Sequence, residues 1–113
     1  MSDRHKILFV CSRNQWRSPT AERIYAREPG LAVRSGGTSP KARCRVSEAD
    51  VRWADAIFVM ERKHRDRLAA TFPRAMQYKV VHVLGIPDEY QFMDPELIEL
   101  LEQVVTPLLG NRH

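Results

Sequence analysis

The chain has few cysteines and no long hydrophobic run, and each shortage excludes a class of protein. Two cysteines in 113 residues are too few for a disulfide scaffold and point to a reducing compartment. No apolar stretch approaches membrane-spanning length, so no membrane partner is expected. Met1-Ser2-Asp3-Arg4-His5-Lys6 lacks the long apolar core of a secretory leader, and a cytoplasmic location is expected. Repeats, low-complexity tracts and long linkers are also missing, and the length allows one core, so residues 1–113 read as a single domain. The histidines at 5, 64, 82 and 113 are scattered, and no His/Cys/Asp cluster has metal-ligand spacing. Neither a metal nor another cofactor is expected, and the histidines read as surface or packing residues.

The composition that remains is 43% hydrophobic, which suits a globular domain, with a net charge of +4 from 18 basic and 14 acidic residues. The excess is local, in Lys41-Ala42-Arg43-Cys44-Arg45 and in Arg62-Lys63-His64-Arg65 with Arg67. Such runs read first as solvated faces. They also concentrate anionic substrates and keep nucleic acid among the partners to be considered.

Apolar runs alternate with helical patterns along the chain. Strands are expected at Lys6–Val10, Leu31–Ser35, Ala56–Met60 and Lys79–Leu84. Helices are expected at Ser18–Glu28, from Ser47 with capping-box character, and from about Arg62 to Phe72, where Pro73 stops it. A final helix opens with Asp94 as N-cap and Pro95 at its first position. It places Leu97, Leu101, Val104 and Leu108 on one face, with Ile98 and Val105 beside them, and Pro107 should end or bend it. The pattern predicts an α/β fold, a doubly wound four-stranded parallel sheet flanked by helices.

Chemistry concentrates at the end of the first strand, in Cys11-Ser12-Arg13-Asn14-Gln15-Trp16-Arg17 followed by Ser18-Pro19. A cysteine and an arginine with five residues between them join a strand to a helix N-terminus. Such a loop turns successive backbone N–H groups inward, making a nest for an oxyanion that the helix dipole reinforces. Both effects favour thiolate over thiol, so Cys11 is expected to be nucleophilic near neutral pH. Arg17 offers a planar fork for two phosphate oxygens. Ser18 is placed at the N-cap, and Asn14, tolerant of left-handed angles, fixes the loop. The plainer alternative is a core cysteine ending a strand, with Arg17 a solvated helix residue. In a doubly wound sheet ligands bind beyond the carboxyl ends of the strands, which is where Cys11 falls.

These residues resemble the low-molecular-weight protein tyrosine phosphatases. The match runs through Leu8-Phe9-Val10-Cys11, Asn14, Arg17-Ser18-Pro19, Ala21-Glu22, Val33-Arg34-Ser35-Gly36-Gly37-Thr38, Ala54–Met60 and Ile86-Pro87-Asp88-Glu89-Tyr90. The resemblance implies attack by the Cys11 thiolate, a phosphocysteine intermediate, and phosphate held by Ser12, Arg13, Asn14, Gln15, Trp16, Arg17 and Ser18. It implies Asp88 as general acid and base, although Glu89 stands where the family's acid is followed by proline. Asp94 does precede a proline, but its N-cap duty commits its oxygen, so Asp88 is favoured. A substrate pocket walled by Trp16 and Tyr90 is implied. The chain is contracted between Thr38 and Trp53 relative to the family, so a shallower or differently shaped pocket is expected. Arg13 replaces a common glycine, and Trp16 replaces a cysteine that in many members protects the nucleophile. Trp16 packs on the following helix or forms a new aromatic surface at the mouth.

Four readings follow. A phosphomonoesterase with a phosphotyrosine peptide or other phosphomonoester as substrate leads. A phosphatase for a nucleotide or RNA phosphate would use the basic segments. Arsenate reduction on the same fold needs a cysteine relay, for which only Cys44 is present. A silent phosphate-binding module stands last, because nucleophile and acid are both in place.

Overall fold

Four parallel strands form one sheet: β1 (His5–Cys11), β2 (Leu31–Gly37), β3 (Ala56–Val59) and β4 (Val80–Val83), in the spatial order β2-β1-β3-β4. The computed structural model describes residues 4–109. Met1-Ser2-Asp3 and His113, which enter the leader and histidine readings, lie outside the described residues. The helices are α1 (Arg17–Tyr25), α2 (Glu48–Trp53), α3 (Arg62–Thr71), α4 (Pro73–Met76) and α5 (Pro95–Leu109).

The unbroken apolar runs of β1 and β3 are explained by helices on both faces of the sheet. Ile7, Phe9 and Cys11 of β1, with Ala56 and Phe58 of β3, cluster with Ala21 and Tyr25 of α1 and with Leu97, Leu101 and Val105 of α5. Leu8, Val10, Ile57 and Val59 join the opposite cluster, with Val51, Leu68 and Ala75 of α2, α3 and α4. The Phe9 ring stacks on Tyr25 and meets Phe58 edge-on, at centroid distances of 5.9 and 5.6 Å. β1 is thus the centre of the molecule, and its carboxyl end is fixed from both sides.

Several boundaries differ from expectation. β2 continues two residues past Ser35, because Gly36 and Gly37 pair with Val10 and Cys11. α1 ends at Tyr25 rather than Glu28; the Glu28 N–H closes a turn on Tyr25 instead. Pro73 does follow α3, but it also opens α4 from the first position, where its missing N–H costs nothing. α5 runs through Pro107 to Leu109, so the proline does not end it. The stripe facing the sheet is Leu97, Leu101 and Val105, while Leu108 is exposed, a rotation from the expected face. Asp94 caps α5 as expected: its side chain accepts from the Glu96 N–H at 2.9 Å and its carbonyl from the Ile98 N–H at 3.0 Å.

The chain runs from β1 outward to β2, then crosses back to β3 on the other side of β1. This reversal opens a crevice at the carboxyl ends of β1 and β3, the switch point where doubly wound sheets bind ligands. Three segments leave the sheet there: the loop after Cys11, the turn from Met60 into α3, and the Leu84–Asp88 stretch after β4.

Candidate active site

The loop from Cys11 to Arg17 joins β1 to α1. Among the described residues, no acceptor pairs with the N–H of Arg13, Asn14, Gln15, Trp16 or Arg17. Asn14 and Arg17 are buried while Arg13, Gln15 and Trp16 are exposed, and a run of unpaired N–H groups at a strand-to-helix junction suits an anion. Asn14 turns the loop at φ 54°, a left-handed angle that its short polar side chain tolerates. Its amide donates to Ser18 Oγ and Ser35 Oγ, both at 2.9 Å, and Ser35 in turn donates to Glu22 at 2.5 Å. The loop is thereby anchored to β2 and α1.

Cys11 is buried, with Sγ 2.9 Å from Ser18 Oγ. Ser18 was expected to cap α1; it is instead the second helical residue, because the helix begins at Arg17 with Trp16 as the cap residue. Its hydroxyl lies 2.9 Å from the thiol and also within 3.4 Å of the Gly36 carbonyl, to which it can donate. Gly37 shows how tightly the loop is backed. A Cβ there would lie 2.5 Å from the Ser12 carbonyl oxygen and 2.5 Å from the Ala42 Cβ.

Arg17 is buried, and one edge of its guanidinium is committed. Nη1 donates to Glu61 Oε1 at 2.7 Å and to the Ile86 carbonyl at 2.8 Å. Nε lies 3.7 Å from Asp88 Oδ1, and among the described residues nothing pairs with Nη2. The Arg17 hydrogen bond holds the Glu61 carboxyl below its ordinary range. A cavity of about 30 Å³ is lined by Cys11, Arg13, Gln15, Trp16, Arg17 and Asp88. Asp88 is exposed and held near by its segment: the Met93 N–H donates to Thr20 Oγ1, which itself donates to the Trp16 carbonyl. Trp16, 40% exposed, takes the rim position of its two readings. Tyr90 is half-buried against the apolar cluster under α1 and α5 and does not line this cavity.

Two residues that sequence reasoning passed over complete the site. Glu61 fixes Arg17, and His64, read only as a surface or packing residue, is buried beneath the loop. His64 Nδ1 accepts from the Glu61 N–H at 3.0 Å, which places the ring proton on Nε2, 2.9 Å from Ser12 Oγ. Burial, with the Arg17 charge nearby, pushes His64 from the ordinary 6.5 down to about 4, so the ring is neutral near pH 7. His5 and His82 do read as expected, half-exposed beside Asp55 and edge-on to Phe58. Cys44, the second thiol, is exposed. No group of three or more metal-ligating side chains occurs among the described residues, and no helix there is long and apolar enough to cross a membrane.

No protein-family model matches the sequence, and no curated protein is significantly similar to it. Solved structures are. A low-molecular-weight protein tyrosine phosphatase from Streptococcus pyogenes matches 100% of this chain and 94% of its own, with a TM-score of 0.79 at 19% identity. The tyrosine phosphatase Wzb from Escherichia coli K30, solved with phosphate, covers 96% of this chain and 99% of its own, with a TM-score of 0.75 at 25% identity. YwlE from Bacillus subtilis covers 93% and 99%, with a TM-score of 0.67 at 26% identity; the YwlE of Geobacillus stearothermophilus is an arginine phosphatase. The fold is that of the low-molecular-weight protein tyrosine phosphatases over nearly the whole chain. Its class is that of a cysteine-dependent phosphatase.

Proposed function

We propose that the protein hydrolyses phosphomonoesters through a phosphocysteine on Cys11, with Arg17 binding the phosphoryl group and Asp88 as general acid and base. The observation that carries this reading is the Cys11–Arg17 loop, which combines a buried thiol hydrogen-bonded to Ser18, N–H groups without acceptors among the described residues, and the buried Arg17. The Cys11 thiolate attacks phosphorus in line as the bond to the leaving oxygen breaks, and the Asp88 carboxyl protonates that oxygen. The Asp88 carboxylate then takes a proton from water, whose oxygen attacks phosphorus. The P–S bond breaks, orthophosphate leaves and the thiolate returns.

The Ser18 hydroxyl accepts from Asn14 and lies 2.9 Å from the Cys11 sulfur and 3.4 Å from the Gly36 carbonyl, so the shorter contact is the one through which its proton serves the sulfur as nucleophile and as leaving group. Nε and Nη2 of Arg17 form the open edge of the fork for two equatorial oxygens, alongside the loop amides. Asp88 fits the acid role better than Asp94, because Asp88 lines the Cys11 cavity while both oxygens of Asp94 named above serve α5. Phosphotyrosine is the substrate this reading puts first, with Trp16 as the aromatic face at the rim. The nucleotide and RNA readings gain no support from the structural neighbours.

Phosphate or vanadate binding and aryl phosphate turnover, measured together, test the assignment. Cys11→Ser should lose turnover and keep binding, since amides and Arg17 remain; Arg17→Ala should lose both. Turnover retained in Cys11→Ser rules out the phosphocysteine. A preference for phosphoarginine over phosphotyrosine peptide would leave the mechanism and change the substrate.

A further inference from the structure

A second cavity, of about 570 Å³, meets the catalytic loop at Ser12. One wall is the stretch after β2, Thr38 and Ser39; the other is α3, through Lys63, His64 and Arg67. Apart from Asp66, every polar side chain lining it can donate a hydrogen bond. The His64 Nε2–H donates to Ser12 Oγ, so the Ser12 proton is left for another acceptor. Ser39 Oγ accepts from the Lys41 N–H at 3.1 Å and likewise keeps its proton. The Thr38 hydroxyl has no partner among the described residues.

Positive charge is unmatched at the same place. Arg67 forms no ion pair among the described residues, and neither do Arg13, Lys41 and Arg43 on the adjoining loops. Lys63 lies 3.8 Å from Glu61, but Glu61 is already held by Arg17 at 2.7 Å. The carboxylate on the cavity, Asp66, pairs with Arg65 at 3.4 Å. Hydroxyl donors and cations without acceptors suit a ligand that only accepts, and a carboxylate is such a group.

We infer that this cavity is a specificity subsite for an acidic side chain, Asp or Glu, flanking the phosphorylated residue of a peptide substrate. The inference rests on the phosphatase reading above. Ser12 is the neighbour of Cys11, and an extended chain advances about 3.3–3.6 Å per residue, so a side chain one to three positions away reaches it. The volume exceeds what one small ion needs and fits a peptide side chain with part of its backbone. Nucleic acid fits less well, because single-stranded sites pair their cations with exposed stacking aromatics and this lining has none but the buried His64.

The test uses two phosphotyrosine peptides that differ only in flanking Glu or Gln residues, and a 5′-phosphorylated oligonucleotide. Fluorescence anisotropy on Cys11→Ser measures affinity without turnover, and kcat/KM on the intact enzyme measures selection. The acidic peptide should bind and react about tenfold better, through KM. Lys63→Gln/Arg67→Gln should bring the two peptides within about twofold, while turnover of phenyl phosphate, which has no flanking group, stays within about twofold. Equal binding of both peptides, or a preference that survives the double variant, overturns the subsite. So does an oligonucleotide that binds more tightly than the acidic peptide and loses its advantage in the variant. Absence of phenyl phosphate turnover strikes the phosphatase reading alone, since the anisotropy comparison still stands.

Discussion

Arg17 shows how a loop of seven residues depends on groups far outside it. Its Nη1 edge is pinned by Glu61 and the Ile86 carbonyl, which leaves the opposite edge for the phosphoryl group of the proposed reaction. Glu61→Ala should let the guanidinium swing, and a misplacement near 1 Å costs up to about a hundredfold in rate. We expect kcat/KM on an aryl phosphate to fall roughly tenfold to a hundredfold with the far-ultraviolet spectrum unchanged; an undiminished rate would remove Glu61 from the site. The two aspartates separate by leaving group. Asp88→Asn should slow phenyl phosphate far more than an activated nitrophenyl ester, since a good leaving group needs little protonation. Asp94→Asn should leave both rates intact, because asparagine also caps; the reverse pattern exchanges the two roles. Residues Cys11 to Ser18 were legible because they are contiguous. Glu61 lies 44 residues from Arg17 and His64 lies 52 from Ser12, and no local pattern announces such a meeting.

At the scale of elements, β1 and β3 were legible because burial on both faces writes itself as unbroken apolar runs, whereas the edge strands β2 and β4 are only partly buried. Helix faces were less so. In α5 the apolar residues spread around more than one stripe, and only packing selected Leu97, Leu101 and Val105. Where the helix ended was also hidden, since α5 continues two residues past Pro107, just beyond the sheet-facing Val105. The stripe gives a direct measurement. Leu101 is fully buried against the β1 and β3 face, so Leu101→Ala should destabilise by about 2–5 kcal/mol in urea unfolding. Leu108→Ala, at an exposed position, should cost less than about 1 kcal/mol, and equal costs would contradict the observed rotation of the helix.

At the scale of the whole molecule, His64 couples the crevice to the stability of the fold. In the unfolded chain it titrates near the ordinary 6.5, and in the fold near 4, so between these values the unfolded state binds more protons. Stability therefore rises with pH across that window; it is fully present above about 6.5 and is lost as pH falls toward 4. Glu61 acts in a lower window, because its folded value is depressed below the ordinary 4.5 and its contribution disappears only as pH falls through that lowered value. Protonation of His64 also removes the acceptor for the Glu61 N–H, loosening the turn that holds Arg17. Glutamine can accept that N–H and donate to Ser12 without titrating, so His64→Gln isolates the effect. Urea unfolding at pH 7 and pH 4.5 should show the natural chain losing on the order of 2 kcal/mol more than His64→Gln. The two proteins should differ little above pH 7. Parallel losses in both would show that His64 is not held neutral, and the proton assigned to its Nε2, with the hydroxyl polarity of Ser12, would fall with it.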